Sequence, residues 1–207
     1  VMSEAVSIER RKMMKAFGAE VILTAANLGT DGAIMKVREM MAENPDKYYN
    51  PNQFSNENNK LAHKKTAEEI WKQTNGKITH FVASLGTSGT LMGVGKALKE
   101  YNSNIKIIEA QPEEGHKIQG LKNMNEAIVP KIYDPSMVDE HIIINTEDAY
   151  ETARRIVKDE SLFIGMSSGA AMKAVLDILP KLPKDSVVVV MFPDRGEKYL
   201  STKLFEI

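Results

Sequence analysis

The chain has 207 residues, 43% of them hydrophobic, with 27 basic and 28 acidic side chains and a formal net charge of −1; this suits one large domain, or one domain with part of another, around a sizeable core. Interspersed charge of both signs argues against a nucleic-acid partner, which needs a basic patch or stripe, and no apolar run is long enough to span a bilayer. Zero cysteines exclude disulfides, thiolate metal ligands and a cysteine nucleophile; His63, His80, His116 and His141 lack metal-ligand spacing, the first residues show no signal-peptide pattern, and the expectation is a soluble, cytoplasmic protein without a metal.

The chain begins Val-Met-Ser-Glu-Ala-Val and is in helical pattern by Ser7, either as a natural start or as a piece of a longer chain. Ser7 to Phe17 reads as a helix with Ser7 as N-cap and Gly18 as its stop. The cluster Glu9-Arg10-Arg11-Lys12 is a solvated helix face. Glu20 to Thr24 is a short β-branched run, read as a strand. Asp31 caps a helix from Gly32 to about Glu43, with Ile34, Val37, Met40 and Met41 at helical spacing. Asn44-Pro45-Asp46 breaks it, and a polar, Asn-rich loop runs from Lys47 to Asn59 with Tyr48, Tyr49 and Phe54 as anchors. A helix follows over Asn59 to Thr74, stopped by Asn75-Gly76.

Next comes Thr79-His80-Phe81-Val82-Ala83-Ser84-Leu85-Gly86-Thr87-Ser88-Gly89-Thr90, then Leu91 to Leu98: a buried strand, a glycine-rich turn and a helix. Helix N-termini carry unpartnered N–H groups and the positive end of the dipole, so a glycine-rich turn with hydroxyls there can cradle a phosphate. The plainer alternative is a strand-to-helix turn capped by Ser88 or Thr87. Asn104 to Gln111 is a further strand whose C-terminal end opens into Pro112 to Gly120, where ligands bind in open parallel sheets. His141 to Asn145 is another strand, and Thr146 caps a helix to Asp159. Ser167-Ser168-Gly169 leads a helix to Leu179, Ser186 to Phe192 is a valine-rich buried strand, and a short helix reaches Leu200 after Pro193-Asp194-Arg195-Gly196-Glu197. Alternating strands and helices predict an α/β fold with a mostly parallel twisted sheet flanked by helices.

The segments SIERRKMMKAFGAEVILT, NQFSNENN, GTSGT, HKIQG, GMSSGAA and PDRGEKYLST, in that order, carry a resemblance. The chain resembles the cysteine synthases (O-acetylserine sulfhydrylases), fold-type II pyridoxal-phosphate enzymes built like the tryptophan synthase β chain. The QPEEG stretch and the PDRGEKYLST ending are more similar to the B-type branch, while HKIQG also fits A-type members. The resemblance implies that Gly86, Thr87, Ser88, Gly89 and Thr90 bind the phosphate of pyridoxal 5'-phosphate. It implies that Ser167 hydrogen-bonds the pyridine nitrogen, leaving it unprotonated, as β-replacement wants. Gln53 then contacts the substrate carboxylate, and Gly120 lies near the substrate amino group. Read without the resemblance, Ser167 is a helix N-cap, a task Ser168 serves equally; Gln53 is a loop amide and Gly120 a turn glycine. The implied reaction converts O-acetyl-L-serine and sulfide to L-cysteine and acetate, with a homodimer as the assembly and serine acetyltransferase as a partner.

One departure stands out. The family's Schiff-base lysine lies in an opening Ser-x-Lys-Asp-Arg pattern and its carboxylate loop in a Thr-Ser-Gly-Asn pattern, and neither occurs in these 207 residues. Lys12, Lys15 and Lys36 match no such motif, so no catalytic residue is assigned. The expectation is a fragment lacking the family's opening third and inactive alone: residues 1–56 are the remnant of the smaller N-terminal domain, and 57–207 are the larger, phosphate-binding domain. Cystathionine β-synthase, threonine dehydratase, a phosphoserine-using enzyme with Lys122 or Arg195 near the pocket, and a non-catalytic interaction protein are the alternatives. A generic nucleotide-binding protein would need a dinucleotide fingerprint, which GTSGT does not supply.

Overall fold

The computed structural model describes residues 1–206. The chain divides into two compact units: Val1–Asn52 together with Gly196–Ile207, and Gln53–Arg195. The division read from the sequence falls at 56/57; the compact units part at 52/53 and again at 195/196.

In the first unit β1 (Met2–Ser3) pairs in parallel with β2 (Leu23–Thr24), joined by α1 (Ile8–Ala16), and α2 (Gly29–Glu43) follows. The strand expected over Glu20–Thr24 is two residues long because its partner offers only two. Ser7 stands at the N-cap position but does not cap; its hydroxyl donates to the Lys198 carbonyl at 2.5 Å. Asp31 lies inside the first turn of α2 and is not its cap. Nor is Glu9-Arg10-Arg11-Lys12 merely a solvated face. Glu9 accepts from the Ser201 N–H and hydroxyl at 2.9 and 2.8 Å, and Arg10 donates to the buried Tyr199 hydroxyl at 2.5 Å.

The second unit is built on four parallel strands in the order β5 (Glu140–Ile144), β4 (Lys106–Pro112), β3 (His80–Ser84), β6 (Val188–Val190). A parallel sheet covered on both faces needs strands that are apolar throughout, as Phe81, Val82 and Ala83 are. Phe81, Ala83 and Ile107 join one core cluster with α4 (Lys64–Gln73) and α5 (Gly89–Tyr101). Strand alternation turns Val82, Ile108 and Ala110 the other way. The remaining helices are α6 (Thr146–Glu160) and α7 (Met166–Ile178); α7 packs against all four strands and against α6. The helix expected over 59–74 is two pieces, α3 (Asn58–Leu61) and α4, separated at Ala62–His63. Thr146 does not cap α6: Asn145 accepts from the Asp148 N–H at 2.8 Å, and the Thr146 hydroxyl accepts from Lys117 N–H at 3.0 Å.

Candidate functional site

β3 ends at Ser84, the chain turns through Gly86–Ser88, and α5 opens at Gly89. Ser88 occupies the left-handed region at φ +69° and is 3% exposed. Its hydroxyl does not cap α5 and has no hydrogen-bond partner; the Ser84 hydroxyl, also buried, has none either. Capping falls to Thr87, whose Oγ1 accepts from the Gly89 N–H at 3.3 Å.

Three loops converge on this turn. Asn59 donates from Nδ2 to the Gln53 carbonyl at 2.7 Å and to Thr87 Oγ1 at 3.1 Å, which ties the Gln53 segment to the turn. A side chain on Gly89 would collide with the Asn59 amide. Thr90 Oγ1 lies 3.1 Å from His63 Nε2, and burial lowers the His63 pKa, favouring its neutral form. Gly120, at φ +94°, faces the turn: a Cβ on Gly86 would lie 2.8 Å from the Gly120 carbonyl oxygen. Lys122 N–H donates to the Leu85 carbonyl at 2.8 Å and its ammonium stands 5.4 Å from the Phe54 ring centroid. Gln53 is exposed and reaches the turn through its backbone carbonyl.

Ser167 is the second residue of α7 and is 5% exposed. The N-cap of α7 is Gly165, which has no side chain to offer. Asp194 fills that role from the loop after β6: it accepts from Ser167 N–H at 3.0 Å, Ser168 N–H at 2.8 Å and the Ser168 hydroxyl at 2.5 Å. Capping therefore belongs to Asp194, and among the described residues Ser167 Oγ has no protein partner. β6 runs parallel beside β3 with Val190 opposite Val82, so Asp194 leaves the same C-terminal edge from which the Gly86–Thr90 turn leaves β3. That edge is where parallel sheets present ligands.

The electrostatics are asymmetric. Asp194 brings a carboxylate to the positive end of α7, whereas α5 opens with no acidic residue in its first turn. The helix N-terminus without an acidic residue, the closely packed glycines and the two unpartnered buried hydroxyls fit an oxyanion such as phosphate. Among the described residues no group of three His, Cys, Asp or Glu side chains is placed to hold a metal ion.

Asn59, His63 and Asp194 were not expected at the site. Asn59 and His63 read as members of one continuous helix, and Asp194 as part of a strand-closing turn. For Asp194 there was a signal: a helix entered by Gly165 needs an acceptor from elsewhere.

Residues 1–194 match the family described as pyridoxal-phosphate dependent enzyme. A cysteine synthase of Aquifex aeolicus is 48% identical over 209 residues, covering 99% of this chain and 64% of that protein. Cysteine synthase B of Escherichia coli is 41% identical over 206 residues, covering 99% of this chain and 67% of that protein. The crystal structure of a cysteine synthase from Entamoeba histolytica superposes with a TM-score of 0.88 at 45% identity, covering 97% of this chain and 62% of that one. The chain thus spans less than two thirds of the length of the Aquifex and Entamoeba proteins.

Proposed function

The chain belongs to the pyridoxal-phosphate-dependent enzyme family, and from that premise we propose that it is the larger part of a cysteine synthase, converting O-acetyl-L-serine and sulfide to L-cysteine and acetate once the rest of the enzyme is present. The observation that carries this is the convergence at one sheet edge of the Gly86–Thr90 turn, with its unpartnered Ser88 hydroxyl, and of Ser167, whose hydroxyl has no protein partner among the described residues while Asp194 caps α7.

Pyridoxal phosphate, when bound, supplies the electron sink for β-replacement, and the protein supplies orientation and electrostatics. In this reading the α5 N-terminus and the hydroxyls of Thr87, Ser88 and Thr90 hold its phosphate, with Gly86 and Gly89 allowing close approach. Asn59 and His63 fix the hydroxyls of Thr87 and Thr90. Ser167 Oγ donates to the ring nitrogen; a neutral hydroxyl has no readily lost proton, so that nitrogen stays unprotonated. Gln53 and Gly120 face the substrate carboxylate and amino group. The lysine that removes the α-proton lies outside these 207 residues, in a segment that completes the smaller of the enzyme's two domains. A cytoplasmic homodimer of the B-type branch completes the proposal; docking of serine acetyltransferase, a property of A-type members, belongs to the alternative of a non-catalytic interaction protein.

The test pairs this chain with the same chain extended by the residues encoded before Val1. Both are expected to bind pyridoxal phosphate, and only the longer one to form cysteine from O-acetylserine and sulfide. Absence of pyridoxal-phosphate binding by either overturns the assignment. A phosphorylated substrate is a second reading favoured by Lys122, a buried lysine beside the turn; faster turnover with O-phosphoserine than with O-acetylserine selects it.

A further inference from the structure

We infer that Asp194 is a positioning residue for the Ser167 hydroxyl: it takes over the capping of α7 so that Ser167 Oγ is held for the ring nitrogen of the cofactor. This rests on the cofactor reading above. The geometry is specific. One carboxylate oxygen of Asp194 accepts from Ser167 N–H at 3.0 Å, while the other accepts from Ser168 N–H at 2.8 Å and the Ser168 hydroxyl at 2.5 Å. The Asp194 carbonyl accepts from Gly165 N–H at 3.1 Å, and an antiparallel bridge joins Ile164 to Arg195 beside it. The entry to α7 is therefore clamped to the loop after β6 on both sides of Ser167. Asp194 is 7% exposed, so these bonds are shielded from competing water.

A serine at the N-cap turns its hydroxyl back onto an N–H of the first turn; Ser167 lies two residues past the N-cap Gly165, inside the first turn, where its own N–H is one of those needing an acceptor. Here the adjacent N–H groups already have a charged acceptor, and charge-assisted bonds to carboxylate outcompete neutral ones. Ser167 Oγ has no protein partner among the described residues, which leaves it available to a ligand. Asn at position 194 would keep one acceptor oxygen but set an NH2 against an N–H donor, so D194N removes half of the clamp at nearly constant volume.

The test measures equilibrium binding of three probes to the 207-residue chain: pyridoxal phosphate, its analogue with carbon in place of the ring nitrogen, and inorganic phosphate. Unaltered protein is expected to prefer pyridoxal phosphate to the carbon analogue by about tenfold, one hydrogen bond's worth. S167A removes that preference. D194N is expected to remove it too, with phosphate affinity unchanged and no further loss in the double variant. S168A, which deletes one support of the Asp194 carboxylate, gives the same loss in smaller measure and carries the test if D194N does not fold. Retention of the preference in whichever of these two variants folds, or additive losses in S167A/D194N, overturns the positioning role alone. Failure of the unaltered chain to bind pyridoxal phosphate overturns the cofactor reading and this inference with it.

Discussion

Ser88 holds its backbone at φ +69° without being glycine, and its hydroxyl is buried without a partner. Both cost stability, roughly 1 kcal/mol for the left-handed conformation and about 1–3 kcal/mol for an unmade buried hydrogen bond. A ligand that accepts from Ser88 Oγ recovers the second. S88G is therefore expected to raise the melting temperature of the ligand-free chain and to weaken inorganic phosphate binding several-fold, read by calorimetry and by phosphate titration. Glu109 is fully buried in β4, and Tyr133 donates to it at 2.7 Å with His141 Nδ1 3.3 Å away. Burial and that carboxylate push the Tyr133 phenol up, well above the usual tyrosine range. Y133F strips the buried carboxylate of its short partner and is expected to destabilise by about 1–3 kcal/mol in urea unfolding. His63, His80 and His116 all have pKa values lowered from 6.5, chiefly by burial. A folded-state value below the unfolded one means their contribution is complete above pH 6.5 and is lost as pH falls through the lowered values. His116 Nδ1 also accepts from Ile118 N–H, a bond that protonation destroys. H116N keeps an acceptor near that position and is expected to flatten the loss of melting temperature between pH 6.5 and 5.

At the scale of elements, two helix pairs approach so closely that only glycine fits. A side chain on Gly93 of α5 would strike the Lys60 carbonyl of α3, and one on Gly169 of α7 would strike the Ala149 carbonyl of α6. Backbone cannot yield as a flexible side chain can, so each Ala substitution is expected to cost about 1–3 kcal/mol. The two differ in consequence. G93A pushes on α3 and the adjoining His63, and so on the partners of Thr87 and Thr90; phosphate binding should weaken along with stability. The phosphate affinity of folded G169A should be unchanged, since α6 makes none of the turn's recorded contacts. Denaturant unfolding with a parallel phosphate titration separates them. The order and type of these elements were legible from periodicity, because a buried parallel strand such as Phe81-Val82-Ala83 and an amphipathic helix such as α4 declare themselves within a few residues. Their ends were not. β6 is three residues long where Ser186–Phe192 was expected, because it pairs with β3 only over His80–Val82. The break between α3 and α4 has no glycine or proline to announce it; at that point Lys60 and His63 lie against Gly93.

For the molecule as a whole, the two units differ in how much apolar surface they hide. The second contains the cluster of Phe81, Leu85, Leu91, Met92, Leu98 and Ile107, each 0–1% exposed. In the first, α1 buries none of its residues and α2 only Gly32 and Ala33, while Phe17 and Tyr49 are 79% and 86% exposed. Local stability follows buried apolar contact. Amide hydrogen exchange is expected to be slowest in β3, β4 and α5 and fastest in α1, α2 and the β1–β2 pair; equal protection in both units would contradict this. The sequence by itself determined the α/β alternation, the glycine-rich turn at a helix opening and the family resemblance, since each is written in residues adjacent along the chain. Tertiary structure alone decided that Asp194 caps α7 across 27 residues and that Asn59 braces Thr87 across 28. It also decided that the closing segment from Gly196 packs with α1. Those pairings join groups distant in sequence, and a donor's need for an acceptor does not say which remote residue the fold will bring to it. The turn at Gly86–Thr90 was placed in the same way: its glycines and hydroxyls are adjacent in the chain, but only the sheet sets Ser167 and Asp194 along the same edge.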